Sequence, residues 1–117
     1  MLESKQTIEL FFRAFQKKDF KTIQHSYGKV ATFRDPIFDK LKGEEIHAMW
    51  KMLLGSSNDL EITFEITKSS LNRVSAIWTA NYTFPSTKRK VKNIIKSDFY
   101  LENQKIVTHI ERFSFYK

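Results

Sequence analysis

The spacing of apolar side chains changes character near the middle of the chain. Up to Gly55 apolar residues recur every three or four positions, and beyond Asn58 they alternate with polar ones. The first period belongs to amphipathic helices, the second to strands with one buried face. Ile8, Phe11, Phe12 and Phe15 make one stripe on a first helix that Ser4 is placed to cap. Asp19 caps a short second helix whose Phe20, Ile23 and Tyr27 face inward and which stops near Gly28. Val30 to Phe33 then reads as a short strand. A third helix opens with Glu44 and Glu45, which complement its dipole, and repeats Ile46, Met49, Trp50 and Leu53 along one face until Gly55.

In the second half Leu60, Ile62, Phe64 and Ile66 alternate with acidic and hydroxyl residues, and Ser69 to Asn72 supplies a turn. Val74, Ala76, Trp78, Ala80, Tyr82 and Phe84 share one face of a long strand. Val91, Asn93, Ile95, Ser97, Phe99 and Leu101 share one face of the next. Glu102-Asn103-Gln104 turns the chain into a final strand from Ile106 to Tyr116. This order predicts one α+β domain over residues 1–117, a cone-shaped α+β barrel with three N-terminal helices packed on a curved antiparallel sheet. A pocket for a small apolar molecule is expected where the helix stripes meet the concave face. The opposite face would carry Ile77, Thr79, Ile94, Tyr100 and Ile110, with Phe64 or its neighbours depending on register. An apolar outer face of that kind predicts a homodimer.

Composition sharpens this picture. Eleven phenylalanines, four tyrosines and two tryptophans in 117 residues are more aromatic surface than a minimal core needs, and aromatics often line pockets. The expected lining is Phe11, Phe15, Phe33 and Trp50 from the first half, with Trp78, Tyr82, Asn93, Ser97 and Phe113 from the strands. The chain has no cysteine, which excludes disulfides, thiol catalysis and cysteine metal sites. Its three histidines lack close ligand spacing with carboxylates, so no metal site is expected. His47 lies one residue off the helical stripe and should be exposed, and His25 suits the negative end of the second helix. A polar start and the absence of any apolar run of membrane-spanning length predict a cytoplasmic protein with no membrane partner. The net charge of +7 raises the question of nucleic acid, but the basic residues are dispersed. Their densest group, Lys88-Arg89-Lys90 with Lys92, follows Pro85-Ser86-Thr87 at a hairpin tip, where solvation is the ordinary role and no nucleic-acid partner is expected.

Chemistry centres on Asp35, in Thr32-Phe33-Arg34-Asp35-Pro36-Ile37-Phe38. Desolvation by Phe33, Ile37 and Phe38 would raise its pKa and suit it to proton transfer; as an Asp-Pro turn residue it would simply be solvated. Along the final strand His109, Glu111 and Phe113 point one way and Ile110 and Arg112 the other. With Phe113 inside, His109 and Glu111 are inside too, and burying a charge is costly unless it is paired. His109 can act as an acid or base, or be a ring satisfied by Glu111 or a backbone carbonyl. Glu111 can orient that ring or pair with a lysine.

Two helices, Phe-x-Asp-Pro at Phe33 to Pro36, Gly43-Glu44 at a helix start and a meander ending in Lys105 to Phe113 resemble the nuclear transport factor 2-like superfamily, most closely its SnoaL-like branch. The resemblance runs from Ile8 to Phe115 and implies a fold shared by ketosteroid isomerases, limonene epoxide hydrolases, polyketide cyclases, and members that only bind or dimerise. It implies a general base at Asp35. It also puts Phe11 where an isomerase has its oxyanion-hole tyrosine and Ser97 where it has a protonated aspartic acid, which argues against ketosteroid isomerisation. The epoxide-hydrolase resemblance implies an Asp-Arg-Asp group, for which Arg112 should point away from the pocket. A cyclase or isomerase needs only a carboxylate or histidine beside a carbonyl and no cofactor, a requirement that Asp35, His109 and Glu111 meet.

Overall fold

A computed structural model describes residues 3–55, 58–84 and 86–114. The expected placements of Pro85, Phe115 and Tyr116 fall outside them. Local chemistry sets the helix ends. Helix α1 (Ser4–Gln16) is capped by Glu3 rather than Ser4, because Glu3 and Gln6 exchange hydrogen bonds as a capping box. The Ser4 hydroxyl instead donates to the Leu71 carbonyl, tying this helix end to a strand turn. Asp19 caps α2 (Phe20–Ser26) as its side chain accepts from the Thr22 N–H, and α3 (Glu44–Gly55) follows Gly43, whose φ of +48° explains the glycine there. His47 on α3 is half-buried rather than exposed, with its ring edge toward Tyr27.

The strands are β1 (Tyr27–Arg34), β2 (Leu41–Lys42), β3 (Glu61–Ser69), β4 (Arg73–Thr83), β5 (Lys90–Glu102) and β6 (Lys105–Ser114). They form one sheet in the order β2-β1-β6-β5-β4-β3. Strands β3 to β6 are the expected antiparallel meander, but β1 joins β6 in parallel, so the sheet as a whole is mixed. Tyr27 opens β1 instead of closing α2 and is still buried, since strand and helix geometry both aim it at the core. Three helices on this curved, unclosed sheet make the α+β cone.

Register places the inward rows side by side. Val74, Phe99, His109 and Phe33 run across four strands, and Ala76, Ser97 and Glu111 form the next row. Trp78, Ile95 and Phe113 form the third. Phe64 is Trp78's partner on β3 and stacks on Phe12, which puts it on the inner face. Ile77, Thr79, Ile94, Tyr100 and Ile110 alternate with the inner rows and are half-buried on the outer face.

Phe11 is the centre of the packed end of the cone. Its ring meets Phe12, Tyr27, Trp50 and Phe99 edge-on, all within 6 Å between centroids. Phe11→Ala should therefore cost about 3–5 kcal/mol in a urea unfolding curve. Leu10→Ala, at a position 50% exposed one residue away, should stay within about 0.5 kcal/mol.

Candidate functional site

Above the packed aromatic end, the cone encloses a cavity of about 380 Å³. Phe15 from α1, Phe33 from β1 and Trp50 from α3 line it on the helix side. Trp78 and Tyr82 from β4, Asn93 from β5 and Phe113 from β6 line it on the sheet side. Two carboxylates reach it, Asp35 and Glu111, and no lysine, arginine or histidine among the described residues does. The volume lies at the small end of ordinary ligand sites and equals roughly a dozen waters at about 30 Å³ each.

Asp35 sits half-buried where β1 ends. Its Oδ1 accepts hydrogen bonds from the Ile37 and Phe38 N–H groups at 2.8 and 2.6 Å, and its own N–H donates to the Phe38 carbonyl at 3.0 Å. This Asx turn is the local reason for the Asp-Pro pair, and it fixes the carboxylate at the cavity wall. Oδ2 has no hydrogen-bond partner among the described residues. The Arg34 side chain next to it is engaged elsewhere, its Nε donating to the Asp39 carbonyl at 2.7 Å.

Glu111 is 8% exposed and anchored through one oxygen. Its Oε2 accepts from the Ser97 hydroxyl at 2.8 Å, meets His109 Nε2 at 3.1 Å and accepts from Trp78 Nε1 at 3.2 Å. Trp78 shares that N–H with Ser97 Oγ at 2.8 Å. Oε1 has no hydrogen-bond partner among the described residues. Glu111 thus pairs with a histidine, not a lysine.

His109 is fully buried, stacked on Phe99 at 4.2 Å and edge-on to Phe33 at 4.9 Å. It does not line the cavity and reaches it only through Glu111, the arrangement of a ring satisfied by Glu111. Phe11 lies in the packed core and Ser97 behind Glu111, so neither lines the cavity. On its other side His109 Nδ1 lies 2.8 Å from the Tyr27 hydroxyl, which accepts from Trp50 Nε1 at 3.0 Å. Burial pushes the Tyr27 phenol well above its ordinary range; the Trp50 hydrogen bond opposes this and the Glu111 charge adds to it. Tyr27 therefore stays O–H, and in the tautomer where it donates to Nδ1 the ring proton sits on Nε2, toward Glu111.

The wall also includes residues not anticipated as lining, among them Met49 and Leu53 of α3, Ile37 and Phe38 beside Asp35, and Phe84 near the hairpin tip. Met49 and Leu53 share the helical stripe of Trp50, a signal already present in the spacing. Tyr27 was legible only as an inward-facing residue at the end of the second helix.

Because the folded-state pKa of Tyr27 is raised, its contribution to stability is complete below the ordinary phenol value of 10.0 and declines as pH rises from there toward the folded value. Tyr27→Phe should lose about 1–3 kcal/mol at neutral pH, from the stranded Trp50 and His109 groups. Its alkaline decline in stability, followed by denaturant titration between pH about 9 and 11, should be shallower than the parent's.

Residues 8–109 match the SnoaL-like domain family model. No curated protein matches the chain in sequence. Among solved structures, the candidate polyketide cyclase IdmH from Streptomyces antibioticus superposes with a TM-score of 0.83 at 16% identity, covering 97% of this chain and 93% of that one. An epoxide hydrolase from M. tuberculosis, described as LEH-like, gives 0.75 at 16% identity over 95% and 82% of the two chains. A ketosteroid isomerase-like protein from Erwinia carotovora atroseptica gives 0.79 at 11% identity over 96% and 94%. At such identities the likeness is one of fold. The cone, its strand order and the match over most of its length make the chain a member of the SnoaL-like domain family.

Proposed function

We propose that the chain takes a small apolar molecule into the cavity and moves a proton on it, with Asp35 and Glu111 as the acid/base pair and His109 positioning Glu111. Glu111 carries this reading, because three groups hold its Oε2 and none of the described residues engages its Oε1. A carboxylate clamped through one oxygen keeps its aim while the other stays available for a proton. Asp35 is held in the same one-sided way by backbone N–H groups. One carboxylate removing a proton beside a carbonyl, and the other returning it, would carry an isomerisation or an aldol-type cyclisation without metal or cofactor. The names of the candidate polyketide cyclase and the ketosteroid isomerase-like protein belong to that chemistry.

Steroid isomerisation itself fits poorly, since Phe11 cannot donate to an oxyanion and Ser97 is engaged by Glu111. Epoxide opening has less support as well. No arginine among the described residues lines the cavity, and Arg112 faces outward to Asp98 at 3.3 Å.

Deuterium exchange at the acidic carbons of a panel of enones and β-dicarbonyl compounds, followed by proton NMR, tests the proposal without knowledge of the natural product. The parent should accelerate exchange on at least one of them. Asp35→Asn and Glu111→Gln should each slow it by about a hundredfold or more while the circular dichroism spectrum is retained. Exchange at the buffer rate throughout, with ligands still bound, would identify a binding module without turnover.

The outer sheet face supports a second proposal, a homodimer. Ile77, Ile94, Tyr100 and Ile110 lie half-buried on that face, interspersed with Lys96 and the Arg73, Asp98 and Arg112 ion-pair group. Sedimentation velocity should give a dimer for the parent and a monomer for Ile77→Lys/Ile110→Lys; a monomeric parent would end this proposal.

A further inference from the structure

We infer that the cavity is built for a cation, and that its ligand is an apolar molecule carrying a protonated amine. This rests on the reading of the cavity as a ligand site and adds the chemical class of the occupant. Three observations point the same way. Both charged residues of the wall, Asp35 and Glu111, are acidic; no basic side chain among the described residues lines the cavity, and His109 meets only the Oε2 of Glu111, from behind the wall. Each carboxylate has one oxygen held by the protein and one without a partner among the described residues. Glu111 is also more than nine-tenths buried, so a ligand that displaces water from its free oxygen must bring a donor of its own.

The rest of the wall suits the same guest. Trp50, Trp78, Tyr82, Phe15 and Phe113 surround the space with aromatic rings, and a cation gains from ring faces as well as from carboxylates. An ammonium N–H to a carboxylate is a charge-assisted bond, stronger than one from a neutral hydroxyl. The chain's net charge of +7 acts against such a ligand only from outside. Exposed charges are screened over roughly 8 Å at physiological salt, whereas the two carboxylates lie in the cavity wall.

Phenylbutylamine and phenylbutanol share a ring and chain and differ at the terminal group, which makes them the probes. Trp50 and Trp78 are the only tryptophans and both line the cavity, so quenching of intrinsic fluorescence reports its occupancy. At neutral pH and roughly 0.15 M salt, the amine should bind the parent at least about tenfold tighter than the alcohol. Glu111→Gln should remove most of that preference and Asp35→Asn part of it. Should Glu111→Gln fail to fold, the parent's preference and the Asp35→Asn result still decide. Equal binding of the two probes, or tighter binding of the alcohol, overturns the inference and leaves the cavity as a site for neutral ligands. Binding of neither, at concentrations up to the millimolar range, overturns the ligand-site reading along with it.

Discussion

A carboxylate inside an aromatic core has to be supplied with donors by the chain around it, and much of this molecule's interior is organised by that demand at Glu111. Leaving the charge unpaired in such surroundings would cost several kcal/mol. Ser97 lies directly across the β5–β6 pair, Trp78 reaches in from β4, and His109 stands two residues back along β6. The three donors come from three neighbouring strands, so the pairing register of the meander and the burial of this charge depend on each other. A slip of one residue in β6 would turn Glu111 to the outer face and leave the Ser97 and Trp78 donors inside without it.

The demand then passes outward. His109 meets Glu111 through Nε2 and the Tyr27 hydroxyl through Nδ1. Tyr27's hydroxyl oxygen in turn accepts from Trp50. This chain of hydrogen bonds links β6 to β1 and β1 to α3, so one network joins the sheet to the helix that walls the cavity. Phe11, Phe33 and Phe99 pack around its histidine and keep water from competing. The interior is thereby divided: one end is closed aromatic packing around the network, and the other is a cavity with Glu111 at the boundary.

That division separates the properties of the fold from those of the site. Proteins that share this cone carry names from different chemistries, so the framework and the cavity wall are separate matters. In this chain the positions at the boundary are acidic and those around them aromatic. Asp35 belongs to the boundary for a purely local reason, the Asx turn that ends β1 at the cavity's edge.

Periodicity alone determined the helix stripes, the alternating strands and the inward direction of Glu111, because a side chain's direction follows from its position in a helix or strand. It also put Met49 and Leu53 on the face of Trp50, though their share in the cavity wall depended on how far α3 stands from the sheet. Tertiary structure decided what local pattern has no means to encode. The parallel pairing of β1 with β6 joins residues about eighty positions apart, and with it came the Tyr27 contact to His109. His109 and Glu111 read alike along the strand, yet one is sealed beneath phenylalanines and the other opens on the cavity, because the helices cover the sheet unevenly. Alternation along a strand tells which face a residue takes; only the packing of distant elements against that face decides whether it meets a ligand or the core.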